Sequence, residues 1–248
     1  MKKIKNIIWL ILLLSGIALL IYSGVMLYNV QKEYKDVDDV NKEVISIFTK
    51  NGSEDGTDDP AKDFTVNWDE LLSTNPDVIA WIQIPDTKIN FPVLQGESNY
   101  TYLRKNIYKK YSRGGCIFVD SHNTDNFTDL NTIIYGHNLN NGSMFSNLKK
   151  YKDKDYLQKH NYIYIYLPTG EALKYKIFSF SKVKADNYDI YNPYVDDLAT
   201  YYEIISRYNK FNELAPSDTS LPVITLSTCT NGNKNDRYII QAYLEQQS

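Results

Sequence analysis

A mainly β domain carried behind an N-terminal helical segment is the fold class the sequence predicts, and three features carry that prediction. Tyrosine supplies 22 residues of a chain that is 43% hydrophobic and 14% aromatic, and rings with one apolar and one polar end favour strands and half-buried surfaces. From Val78 onward, short runs of β-branched and aromatic residues alternate with turn residues, the pattern of a sandwich or a barrel. Ahead of them, residues 7–28 hold no charged side chain.

Taken in order, that charge-free stretch from Ile7 to Tyr28 matches the roughly 20 apolar residues a helix needs to cross a bilayer. Lys2, Lys3 and Lys5 precede it, and flanking positive charge stays on the cytoplasmic side, so everything after Tyr28 is expected outside. A cleaved signal peptide is the rival reading; the stretch is longer than the roughly 7–15 residues of a signal core and has no clear small-residue cleavage site. Val30, Tyr34, Val37, Val40, Val44, Ile47 and Phe48 then recur at helical steps among charged residues, which predicts an amphipathic helix that packs on the domain or serves as a stalk. Residues 51–63, rich in Gly, Ser, Asp and Glu, read as a linker or loop. Asn67 followed by Glu70 resembles a capping box for a short helix that Pro76 limits.

Eight strand-like runs follow, near Val78–Ile84, Ile89–Leu94, Gly115–Val119, Thr132–Tyr135, Tyr162–Leu167, Leu173–Phe180, Pro222–Thr228 and Tyr238–Leu244. Between the sixth and seventh, Leu198, Tyr202, Ile205, Tyr208 and Phe211 keep helical spacing, which predicts a long helix across Val195 to Leu214. The sequence contains no internal repeat.

The net charge is −3, and setting aside the three lysines before the span leaves about −6 on the exported part, which argues against nucleic acid as a partner. With two cysteines, Cys116 and Cys229, an exported domain can form at most one bridge, so it is no disulfide scaffold. The acidic residues at 125–129 and 196–197 are too sparse for a calcium loop, and no metal or cofactor is expected.

Cys229 stands where the apolar strand Thr225-Leu226-Ser227-Thr228 gives way to a polar loop, a place where a thiol is exposed while its strand fixes it. A cysteine alone is more often a small buried hydrophobe, and that is the expectation for Cys116. Arg237 opens the next strand; near the thiol it would favour thiolate and offer fixed donors to an oxyanion, and otherwise it would be an edge arginine bonded to an acid such as Asp236. His137, in Tyr135-Gly136-His137-Asn138, ends another strand and could move protons near neutral pH. His122 competes by position, and His160 is expected to be solvated.

Together these residues resemble the sortases, in order and in motif. The sequence Thr225-Leu226-Ser227-Thr228-Cys229 matches the TLxTC pattern, Tyr135-Gly136-His137 the histidine motif that selects His137 over His122, and Arg237 the arginine that follows. Ala80-Trp81-Ile82-Gln83-Ile84-Pro85, Phe91-Pro92-Val93-Leu94-Gln95-Gly96, Tyr102-Leu103 and Gly114-Gly115-Cys116-Ile117-Phe118-Val119-Asp120 are similar to the class B pattern, which departs here in having Cys116 where a Ser or Ala is usual. The resemblance spans about Trp68 to Leu244.

The resemblance implies an eight-stranded sortase-type β-barrel with N-terminal helices and a long helix between strands six and seven. It implies a cytoplasmic N-terminus over 1–6, an anchor over 7–28, an extracellular helix and linker over 29–66 and a catalytic domain over 67–248. The expected activity is cysteine transpeptidation of surface proteins with a C-terminal sorting motif of NPxTx or SPxTx type, cleaved after Thr through a Cys229 thioester. The acceptor would be a peptidoglycan stem-peptide or cross-bridge amine. His137, Cys229 and Arg237 would be catalytic, with Tyr135 and Ser227 lining the substrate groove. A cysteine peptidase using the same residues, or a non-catalytic tethered binding module, stays open on the residues alone.

Overall fold

The structure, a computed structural model, describes residues 2–51, 64–233 and 235–247. It begins with one unbroken helix, α1 (Lys2–Phe48), so the apolar stretch and the amphipathic stretch share one axis. Their surroundings differ. Side chains from Ile7 to Tyr28 point outward and are largely exposed, whereas Val37, Val44 and Phe48 are buried against the domain. The spacing of those three explains the seating, since residues three, four and seven apart share one side of a helix.

Two short strands, β1 (Thr49–Asn51) and β2 (Phe64–Val66), pair antiparallel after the helix, an element the sequence pattern did not announce. Most of the expected linker lies outside the described residues. Helix α2 (Trp68–Thr74) follows, but its capping box is not made: Asn67 donates to the Glu70 carboxylate at 2.8 Å and caps no backbone group. The helix stops at Asn75, fully buried, whose amide donates to the Tyr102 hydroxyl and the Ile107 carbonyl at 3.0 and 2.8 Å.

The eight expected runs are all strands. They are β3 (Val78–Gln83), β4 (Asn90–Leu94), β5 (Ile117–Val119), β6 (Asn131–Tyr135), β7 (Tyr162–Tyr166), β8 (Ala172–Lys184), β9 (Val223–Cys229) and β10 (Asp236–Gln247). They close into a barrel in the order β10-β8-β7-β3-β4-β5-β6-β9, which removes every open edge. Two neighbouring pairs, β4 with β5 and β6 with β9, run parallel. Ile82, Val93, Ile134, Ile165, Ile224, Leu226 and Ile240 share the main core. A second apolar layer seats Val44 and Phe48 of α1 on Trp81, Phe118 and Tyr166.

Between β6 and β7 the chain forms a 3-10 helix over Phe145–Lys152 and then α3 (Lys154–Lys159), whose Asp153 accepts from the Tyr156 N–H at 3.0 Å. Neither element was legible beforehand. The helix between β8 and β9, α4 (Leu198–Tyr208), is shorter than the expected span from Val195 to Leu214. Asp197 caps its start, and Asn209 ends it by bonding back to β8, accepting from Phe180 N–H at 3.2 Å. Its buried face, with Leu198, Tyr201, Tyr202 and Ile205, covers Val223 and Ile239 on the outer side of the barrel.

The seating of α1 has a measurable consequence. Phe48 is 2% exposed and its neighbour Ile47 is 41% exposed. Emptying the buried position should cost about 3–5 kcal/mol, whereas Ile47→Ala should stay within about 0.5 kcal/mol. Thermal unfolding of the two variants measures the difference; equal losses would mean that α1 does not pack as described.

Candidate active site

Strand β9 carries two stripes. Ile224 and Leu226 turn into the barrel core, while Val223, Thr225, Ser227 and Cys229 alternate onto the opposite side, as period-two geometry requires. Beside it, β6 runs parallel in a register that pairs Tyr135 with Ser227. The pairing continues past the strand ends: the Gly136 N–H donates to the Ser227 carbonyl at 3.1 Å, and the Thr228 hydroxyl donates to the Gly136 carbonyl at 2.7 Å. One step further, on the same side as Tyr135 and Ser227, come His137 and Cys229. On the other flank β10 pairs antiparallel with β9 and sets Arg237 opposite Cys229.

The approach at Gly136 leaves no space for a side chain. A Cβ there would lie 2.5 Å from Ile117 Cδ1 and 2.6 Å from the Phe145 ring. Gly115 works differently: its φ of +56° and a Cβ position 2.6 Å from both the Tyr102 and Leu103 carbonyl oxygens suit glycine alone. That turn brings Leu103 under the histidine, and His137 Nε2 lies 2.8 Å from the Leu103 carbonyl.

His137, Cys229, Arg237, Tyr135 and Ser227 line a single cavity of about 630 Å³ at this end of the barrel. Because a carbonyl can only accept, Nε2 of His137 carries the proton and Nδ1 is the basic nitrogen of the neutral ring. Burial holds the His137 pKa below its usual 6.5, with Arg104 adding to the effect and the Leu103 contact opposing it. The ring is therefore neutral at physiological pH. Cys229 is a free thiol, half-buried at the strand end. Arg237 donates through Nη1 to the Asp236 backbone carbonyl at 3.1 Å. The Asp236 carboxylate takes Lys182 and Lys184, at 2.8 and 2.6 Å, so the alternative of an Arg237–Asp236 side-chain pair is not what forms.

Tyr135 and Ser227 reach the cavity with their polar atoms engaged. The Tyr135 hydroxyl donates to Asp120 at 2.9 Å, and Ser227 Oγ lies 2.7 Å from the Tyr191 hydroxyl. Burial, reinforced by Asp120, pushes the Tyr135 pKa well up; burial also pushes Tyr191 up to about 12, with Ser227 and Arg237 drawing it down. Burial works against the charge on Asp120, yet bonds from His122, Tyr135 and Asn99 hold its carboxyl below the usual range.

Sequence reasoning did not single out Tyr191, Asn99, Asp120 or Asn138. Tyr191 lies in the loop after β8 and stacks over Tyr135, ring centroids 6.1 Å apart at 24°. Its surroundings, Tyr188-Asp189-Ile190-Tyr191-Asn192-Pro193-Tyr194, carry no signal that sets it apart from the neighbouring tyrosines. Asn138 donates to the Cys229 carbonyl at 2.8 Å and also contacts Asn231 Oδ1, tying the histidine loop to the cysteine loop.

The competing residues fall out by geometry. His122 does line the cavity, but at its rim, with a 58% exposed side chain paired to Asp120 at 2.8 Å. His160 is not solvated as expected: it is half-buried against the Tyr156 ring at 4.4 Å, its Nδ1 enclosed without a hydrogen-bond partner. Cys116 is buried, donates to the Lys105 carbonyl at 3.3 Å, and burial drives its pKa far up, as an inert small side chain should behave. Among the described residues no cluster of three or more metal-ligating side chains occurs.

Comparison with known proteins agrees with this arrangement. The family model described as the sortase domain matches residues 82–245. Sortase B of Listeria monocytogenes is 30% identical over 246 residues, 98% of each chain. Among solved structures, sortase B of Clostridium perfringens superposes with a TM-score of 0.67 at 29% identity, covering 72% of this chain and 99% of that one. A sortase B–substrate complex from Staphylococcus aureus does so with a TM-score of 0.65 at 26% identity, covering 72% of this chain and 84% of that one. With a matching domain, a relative aligned along nearly its whole length and the same closed barrel, this chain belongs to the sortase family, as a class B cysteine transpeptidase.

Proposed function

We propose that Cys229, His137 and Arg237 carry the transpeptidation, acting on proteins with a C-terminal sorting motif of NPxTx or SPxTx type and passing them to a cell-wall peptide amine. The observation that carries this reading is their convergence from three neighbouring strands onto one cavity. Cys229 sulfur attacks the threonine carbonyl while its proton passes to His137, whose neutral ring is able to accept it. His137 then gives that proton to the departing amine as the C–N bond breaks, leaving a thioester. An incoming amine attacks the thioester and loses its proton to His137, which passes it to the departing Cys229 sulfur and so restores the thiol. Because the acyl group stays activated as a thioester, no ATP is needed. Arg237 holds the negative oxygen in both steps, and Tyr135 and Ser227 line the groove beside it.

A membrane location is supported by α1. Its charge-free stretch is long and apolar enough to cross a membrane, and the preceding lysines favour a cytoplasmic N-terminus. The proposed boundaries are a cytoplasmic segment over 1–6, an anchor over 7–28, an extracellular helix and linker over 29–66 and the catalytic domain over 67–248.

The direct test incubates the protein with sorting pentapeptides, with and without an added amine, and identifies the products. Transfer product formed with amine supports transpeptidation; hydrolysis alone in both conditions would favour a peptidase. In this assay Cys229→Ala should abolish both thioester and transfer, whereas Cys116→Ala should stay within a few fold, and a dead Cys116 variant would sink the assignment.

A general acid and base contributes about 10²- to 10⁴-fold, so His137→Ala should fall by that much and His122→Ala by little. Since burial depresses the His137 pKa, protonation that stops it accepting a proton begins below its usual value of about 6.5. The acid limb of kcat/KM should therefore lie below pH 6.5 and be missing from the residual activity of His137→Ala.

Arg237→Lys keeps a cation but loses the planar fork. It should recover little of the activity lost in Arg237→Ala, because an oxyanion donor is worth roughly 3–4 kcal/mol and depends on placement. Near wild-type turnover in the lysine variant would remove the oxyanion role.

Deleting residues 1–28 should release a soluble domain that still cleaves peptide. Cell fractionation and peptide assay check this, and an aggregated or unfolded product would count against a separable anchor.

A further inference from the structure

Behind the groove lies a chain of buried polar groups that the reaction does not use. Thr225, on the same stripe of β9 as Ser227 and Cys229, is fully buried, as is Asn131 on β6, and Tyr201 on α4 is 2% exposed. The Thr225 hydroxyl donates to Asn131 Oδ1 at 2.8 Å and lies 3.3 Å from the Tyr201 hydroxyl. From this pair two bonds run outward to one loop. Tyr201 donates to the Ile190 carbonyl at 2.9 Å, and Asn131 Nδ2 donates to the Asn192 carbonyl at 2.9 Å.

The two captured carbonyls flank a single residue, Tyr191. Ile190 is itself fully buried and packs with α4, so the chain is pinned immediately before and after Tyr191. On the backbone so held, the Tyr191 side chain lies over Tyr135 with its hydroxyl on Ser227. Burying three polar side chains is costly unless each is bonded. A valine at 225 or a phenylalanine at 201 would fill the same space without that requirement, so packing alone does not account for the hydroxyls.

We infer that Asn131, Thr225 and Tyr201 are positioning residues: a polar clamp beneath the catalytic strand that fixes the 187–192 loop and so holds Tyr191 as a wall of the substrate groove. The inference gives the first threonine of the TLSTC motif a task distinct from the chemistry at its last residue. It rests on the proposed function for its kinetic consequence, though not for its structural one.

The test uses the full chain in detergent, with Tyr201→Phe and Thr225→Val made alone and combined with Tyr191→Ala. Three readouts are taken: kcat and KM on a pentapeptide cleaved by the wild type, hydrogen exchange at the amides of 187–192, and alkylation of Cys229 by iodoacetamide. Each single clamp variant should lower kcat/KM roughly tenfold, the scale of one buried hydrogen bond, mainly through KM. In the Tyr191→Ala background the same substitution should cause no further fall, because its route of action is gone. The loop amides should exchange faster while β9 amides and the alkylation rate keep wild-type values. An undiminished loss in the Tyr191→Ala background, or unchanged exchange in the loop, overturns the clamp. If the wild type cleaves no sorting peptide, the proposed function fails, and the exchange comparison still decides the clamp.

Discussion

The parallel pairing of β6 with β9 is the constraint on which the rest of the molecule depends. Parallel neighbours cannot be joined by a tight turn, and the connection here runs through β7, β8 and α4 before the chain returns. The register on its return sets one alignment: Tyr135 against Ser227, and beyond it His137 and Cys229 on the same cavity. A slip of one residue would turn each side chain to the opposite face, exchanging Cys229 for Thr228 or Thr230. The bonds between Gly136, Ser227 and Thr228 lock the register where error would be most damaging. Gly136 is the corollary, since the strands could not close there with any side chain present.

Around that alignment the protein sorts its titratable groups by environment. His137 is kept neutral by burial, Cys116 is kept protonated by deeper burial, and Asp120 is kept charged by three donors in spite of burial. The same barrel holds two cysteines in different surroundings. One sits beneath α1, away from solvent; the other stands at a strand end with an arginine directly opposite on the neighbouring strand. The lysines beside Arg237 matter indirectly, because by occupying the Asp236 carboxylate they keep it from competing for the guanidinium.

Much of this was legible in the sequence, for reasons that separate the readable from the unreadable. The eight strands announce themselves because Val, Ile and Tyr cluster between turn residues, and His137, Cys229 and Arg237 because each stands at one end or the other of such a run. Elements fixed by tertiary contact did not. The 3-10 helix over Phe145–Lys152 has no amphipathic repeat of useful length, and β1 with β2 is too short to carry an alternating pattern. Asn67 and Glu70 had the right spacing but bonded each other, a choice local sequence does not decide. Tyr191 was missed because the carbonyls on either side of it are held by Tyr201 and Asn131, donors far away in the sequence, and His160 because its lysine-rich surroundings suggested water where an aromatic ring stands instead.

The continuity of α1 bears on reach. Val37 is buried in the domain, and the charge-free stretch ends at Tyr28, so nine helical steps lead from one to the other. At about 1.5 Å per residue that is a rigid strut of roughly 14 Å rather than a flexible leash. With residues 7–28 in a bilayer, the barrel would be carried as a stiff extension of its own anchor, within a few turns of the lipid surface. A partner tethered in the same membrane would meet it by lateral diffusion at a nearly fixed height, which raises the local concentration without any added contact. Free partners in bulk solution would have no such advantage.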